Sequence, residues 1–193
     1  MSRLVESNLV FTFPAEWTVR KYDDTAAYQS LSGHGLKGVD FIALAPNDQL
    51  WLIEVKNYRP RISPRNGREY RADRKPPEQL VRQIAGKFTD SQRLIRIVCA
   101  YFRRRWWRRL LVWYRRRRPR TASNYWFWSE AERRLNDPQR VRFVLWMETP
   151  ERKTGYDDVV EQLLTAALPE LHITVAEASR PHALPFFAAP EIG

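Results

Sequence analysis

Two apolar runs constrain this chain more than any other feature: Gly38-Val39-Asp40-Phe41-Ile42-Ala43-Leu44 and Leu50-Trp51-Leu52-Ile53-Glu54-Val55-Lys56. Each has strand length, and Ala45, Pro46, Asn47, Asp48 and Gln49 between them have turn composition. An acid or an ammonium in an apolar strand is costly unless it is paired or metal-bound. Asp40, Glu54 and Lys56 stand in these strands and are expected to act together. Residues two apart in a strand share a face. Glu54 and Lys56 therefore project side by side, while Trp51, Ile53 and Val55 point the other way into a core. Opposite residues of an antiparallel hairpin also share a face. Asp40 opposes Glu54 when the loop is odd and centred on Asn47, as residues 45–49 would make it. An even loop would put Asp40 on the wrong face unless a bulge corrected it. Two carboxylates with the Val55 carbonyl make a hard, oxygen-rich site suited to Mg²⁺ or Mn²⁺. A neighbouring ammonium can orient or help deprotonate a water, or stabilise charge on a phosphate. The plainer reading is an edge hairpin with a solvated Glu–Lys face, which contributes little to stability.

An Asp, a spacer and then Glu-x-Lys on the next strand resembles the active site of the PD-(D/E)XK nuclease superfamily, with its restriction-endonuclease-like fold. The matching residues are Asp40, Glu54 and Lys56, and Val39 stands where the family name has proline. The resemblance covers roughly residues 15–100 and, more loosely, the strand pattern at 141–148. It implies that Asp40 and Glu54 hold the metal and that Lys56 assists the water. It also implies a helix before the hairpin that can lend an acid, for which Glu16, Asp23 and Asp24 are candidates. The helix after the hairpin would supply an accessory polar residue, Gln83 or Lys87.

The formal charge of +11 is local. Residues 101–120 carry ten Arg and no acid; without them 23 basic residues face 22 acidic ones, a net of +1. The excess is thus a device of one segment. The chain's 193 residues suit a single domain. One cysteine, Cys99, excludes an internal disulfide framework and a cysteine-based zinc cluster. The start lacks an apolar signal segment, and no stretch of about 18 uncharged apolar residues exists. A cytoplasmic location is the expectation. His34, His172 and His182 are too scattered for a ligand set.

Along the chain, the pattern predicts a strand at residues 9–13 and a helix over 15–31. A basic loop at 57–75 would either hold phosphates through Arg59, Arg61 and Arg65 or be a solvated loop. Pro76 and Pro77 open a helix with an apolar stripe at Leu80, Ile84, Phe88, Ser91, Ile95 and Val98, in which Gly86 suggests close packing on the sheet. Residues 101–138 read as a basic aromatic insertion, helical to about residue 118, with a polar helix over 129–136. A strand at 141–148, a helix at 156–168, a strand at 171–176 and an irregular tail over 178–193 complete the chain. The fold class expected is α/β, a single restriction-endonuclease-like domain. Its mixed central sheet would carry helices on both faces and the Arg/Trp-rich helical insertion.

The Arg–aromatic segment has three readings. Arg104, Arg105, Arg108 and Arg109 with Trp106 and Trp107 could hold nucleic acid, the arginines on phosphates and the indoles on bases. The same composition fits an interfacial membrane helix, or an arm packed on the domain or on a protein partner. The function expected is Mg²⁺- or Mn²⁺-dependent hydrolysis of phosphodiester bonds in nucleic acid, DNA first, in bacterial defence or DNA processing. The alternatives are a non-catalytic nucleic-acid-binding module of the same fold, or a membrane-surface protein anchored by the Arg/Trp segment.

Overall fold

The computed structural model describes residues 1–25, 37–62, 67, 69–70, 73–104, 106–117, 123–149, 155–178 and 183–191. Its main sheet has five strands. β3 (Thr18–Lys21), β4 (Phe41–Leu44) and β5 (Leu50–Asn57) run antiparallel in turn, and β8 (Val141–Glu148) and β9 (His172–Glu177) continue parallel to β5. The sheet is therefore mixed. A second sheet joins β1 (Ser2–Glu6), β2 (Leu9–Phe13) and β10 (Phe187–Pro190). A short ribbon pairs β6 (Arg61–Ile62) with β7 (Glu69–Tyr70). The helices are α1 (Pro77–Arg103), α2 (Trp106–Arg117), α3 (Asn124–Leu135) and α4 (Tyr156–Ala167).

Strand alternation divides the core into two layers. Ile42, Leu44, Leu50, Leu52, Phe143, Leu145 and Met147 face Leu80, Ile84, Phe88 and Ile95 of α1, Phe127 and Ala131 of α3, and Val160 and Leu164 of α4. On the other face, Phe41, Ala43, Trp51, Ile53, Val55, Val144 and Trp146 meet Leu9, Phe11, Phe13, Trp17 and Phe186. Among the described residues, helices cover one face of the main sheet; the small sheet and its aromatic side chains cover the other. Aromatic rings dominate this second layer, with Phe186 within 5.2 Å of Phe13 and 6.2 Å of Trp146. Such ring pairs add to the burial of apolar area.

Four further expectations change. Residues 18–21 are strand, not helix, because pairing with β4 gives their backbone a ladder; residues 26–31 of that expected helix lie outside the described residues. The tail is not wholly irregular, since β10 pairs with β2 and takes its proline on a sheet edge. Residues 124–135 form one helix whose Phe127, Trp128 and Ala131 are core, so that part of the 101–138 segment belongs to the domain core. A Cβ at Gly86 would meet nothing within 4 Å, so that glycine marks no close approach to the sheet.

Candidate active site

The β4–β5 register sets the site. Phe41 faces Ile53 and Leu44 faces Leu50, with residues 45–49 as the loop. Continued by one step, that register places Asp40 opposite Glu54, as the odd loop requires. The loop is closed by the Ala45 N–H donating to the Gln49 carbonyl at 3.0 Å, and Asp48 adopts a positive φ of 62°. Arg134 of α3 clasps it from outside, donating to the carbonyls of Ala45 at 2.9 Å and Gln49 at 2.8 Å. At the open end the Asp40 backbone carbonyl accepts from the Tyr22 N–H at 2.8 Å. The Asp40 carboxylate accepts from the Val55 N–H at 2.7 Å, extending the ladder with a side chain.

Glu54 is fully buried, on the face that packs against α1. Two ammoniums meet it there. Lys87 Nζ lies 2.7 Å from Oε1 and 2.9 Å from Oε2, and Lys56 Nζ lies 2.5 Å from Oε1. Lys87 Nζ is also 3.9 Å from Asp40 Oδ1. Burial raises the Asp40 carboxyl to about 7, and the Glu54 charge adds to this; Lys87 and the Val55 N–H pull the other way. Burial works against the Lys87 ammonium, but Glu54 and Asp40 outweigh it and its pKa is raised. Buried Ser91 fixes the two elements relative to each other. Its Oγ accepts from the Val39 N–H at 2.9 Å and donates to the Lys87 carbonyl at 2.8 Å.

Two further acids act on this cluster. Glu6 at the end of β1 raises Asp40, and Asp23 helps to hold the Lys87 proton. The Asp23 carboxyl is itself raised by burial and by Glu6. Of the three acids expected to lend support, Asp23 is thus the one coupled to the site. Glu6 was missed because it closes a half-exposed strand with little apolar signal. Burial pushes the Tyr58 phenol up to about 12, with Tyr156 and Glu54 adding to the shift, so it stays neutral. Beside the cluster lies a pocket of about 310 Å³ lined by Lys37, Lys56, Arg82, Gln83, Gly86 and Lys87. Gln83 and Lys87 thus border one cavity. Lys37 and Arg82 bring cations to it that the sequence reading did not single out.

Of the residues expected to hold nucleic acid, Arg104, Trp106, Trp107, Arg108 and Arg109 lie away from this cluster. Arg59 Nε donates to the buried Glu148 carboxylate at 2.5 Å. The Arg61 side chain, Arg65 and Arg105 lie outside the described residues. Arg104, Trp106, Trp107, Arg108 and Arg109 lie at the far end of α1 and on α2. Fifteen residues of helix separate Lys87 from Phe102, roughly 22 Å at 1.5 Å each. The Arg108 guanidinium lies over the rings of Tyr101 at 4.4 Å and Trp107 at 5.0 Å.

Among the described residues, no group of three or more His, Cys, Asp and Glu is arranged to hold a metal ion, and no helix is long and apolar enough to cross a membrane. No protein-family model, curated protein or solved structure matches this chain.

Proposed function

We propose that this chain is a metal-dependent nuclease with a restriction-endonuclease-like core, hydrolysing phosphodiester bonds in nucleic acid, DNA first. The observation that carries the reading is the convergence of Asp40, Glu54, Lys56 and Lys87 at the carboxyl end of β5. Ligands of open α/β sheets gather beyond such strand ends.

The donor set fits a hard divalent cation. Asp40 and Glu54 face each other, and a cationic group, Lys87 Nζ, already bonds one and lies 3.9 Å from the other. The N–H and C=O of a strand residue leave on the same side. The Val55 carbonyl therefore shares the Asp40 side and would serve with the two carboxylates as a ligand. Mg²⁺ or Mn²⁺ held there would supply charge for the phosphate and acidity for the attacking water. Lys56 would hold that water beside Glu54, and Lys87 would leave Glu54 for the phosphate as the carboxylate gains another partner. Lys37 and Arg82, on the rim of the pocket, would receive the nucleic-acid backbone.

The test is cleavage of labelled single-stranded, duplex and branched DNA, and of RNA, with Mg²⁺ or Mn²⁺, by wild type, Glu54→Ala and Lys56→Ala. Metal-dependent cutting lost in both folded variants supports the nuclease. A folded wild type that binds nucleic acid and never cuts supports the second reading, a non-catalytic binding module. One observation favours that alternative: both Glu54 oxygens are already held by Lys87.

A further inference from the structure

The α2 helix is turned inside out. Trp106, Leu110 and Trp113, at i, i+4 and i+7, form one stripe of the helix. They are 73%, 55% and 52% exposed, and Trp107 and Tyr114 widen the same outward face. Arg109 edges it, Arg117, four residues after Trp113, ends it, and both are exposed. Arg108 and Arg115, seven residues apart on the opposite side, are half-buried. A helix that only packed on its domain would place these residues the other way round.

We infer that this face of α2 docks on an anionic lipid surface. Trp, Leu and Tyr on one side with a surround of arginines is the make-up of a helix lying in a membrane interface. Guanidiniums lie over several of these rings: Arg117 over Trp113 at 4.1 Å, Arg108 over Trp107 at 5.0 Å and Arg115 over Tyr114 at 5.5 Å. Base stacking needs those ring faces open. A headgroup layer instead receives indoles edge-on and arginines reaching up to phosphate. Residues 101–120 hold no acid to meet their ten arginines, so pairing this face with a second copy would set like charges together. The helix also lies away from the carboxylate cluster. Its Arg109, Val112 and Trp113 line an open cavity with Glu132 and Asn136 of α3, the helix whose Arg134 clasps the β4–β5 loop. Lipid contact here leaves the candidate active site open, and the inference stands or falls apart from the nuclease.

Flotation of the full chain with vesicles of mixed phosphatidylglycerol and phosphatidylcholine tests this, with pure phosphatidylcholine vesicles and a single-stranded DNA oligonucleotide as comparisons. Wild type is expected to float with the anionic vesicles. Trp106→Ser/Leu110→Ser/Trp113→Ser is expected to lose about tenfold in partitioning at unchanged melting temperature. Arg109→Glu/Arg117→Glu is expected to lose partitioning most at low salt, and it carries the test if the triple variant unfolds. The inference is overturned if wild type does not float with anionic vesicles, or if both variants float like wild type. It is also overturned if the variants lose the oligonucleotide and keep the vesicles.

Discussion

Lys87 Nζ contacts both carboxylate oxygens of Glu54, at 2.7 and 2.9 Å, joining the middle of α1 to the end of β5. Glu54 is fully buried, and the two ammoniums are the partners that its oxygens meet there. Removing one partner of a buried pair costs more than the pair contributes, because the remaining charge stays out of water. Lys87→Met is predicted to destabilise the metal-free protein by about 1–3 kcal/mol, less than a full orphaning because Lys56 remains. Mn²⁺ should then raise the melting temperature of the variant more than that of wild type. Equal metal-induced shifts would show that Lys87 and a metal do not compete for Glu54.

Asp40 gives stability a pH dependence of definite sign. Burial, reinforced by Glu54, raises its carboxyl from the ordinary 3.8 to about 7. Between those values the folded state keeps a proton that the unfolded state has released. The group's contribution is therefore full below about pH 4 and is lost as pH rises towards 7. Asp40→Asn removes this slope and can still accept from the Val55 N–H. Its melting temperature relative to wild type should rise between about pH 5 and pH 8. A difference that stays flat across that range would contradict the raised carboxyl.

Two glycines are predicted to respond in opposite directions. Gly86 lies inside α1 with nothing within 4 Å of an added Cβ, so Gly86→Ala should stabilise by about 0.5–1 kcal/mol. At Gly38 an added Cβ would lie 2.5 Å from the ring of buried Tyr22. Gly38→Ala should cost about 1–3 kcal/mol through forced repacking. Denaturant midpoints of the two variants on the same side of wild type would refute the contrast.

Arg134 is predicted to hold the hairpin register from the turn end. It is 7% exposed and bonds the carbonyls of Ala45 and Gln49. Arg134→Met should cost about 1–3 kcal/mol, since hydrogen bonds to charged groups contribute most and the Ala45 carbonyl loses this donor, while the Gln49 carbonyl keeps the Ala45 N–H. Chemical denaturation measures this; a loss below about 0.5 kcal/mol would place the turn's stability elsewhere.

The parts of the site that could be read from sequence rest on counting. Strand parity placed Glu54 and Lys56 on one face, and Asp40 joined them on condition of an odd loop, which residues 45–49 make. Lys87 was legible only as one of two polar candidates on a helix, because sequence does not give the roll of a helix on its sheet. Glu6 and Thr18–Lys21 were not legible. Both lie in half-buried strands with a weak apolar rhythm, and only pairing partners distant in sequence define them. The tail misled through its prolines; Phe186, buried in the aromatic layer, was the contrary signal. The aromatics of α2 stayed open between nucleic acid, a membrane interface and a packed arm, because composition does not reveal which way a stripe faces.

The Asp40 carboxylate does the work of a backbone carbonyl when it accepts the Val55 N–H. Hairpins ordinarily fray at the end away from the turn, and their amides exchange fastest there. In this hairpin the last amide before the open end is latched by the acid that would do the chemistry. The exchange rate of the Val55 amide is therefore a direct gauge of Asp40: any ligand or substitution that draws this carboxylate away should register at one named proton.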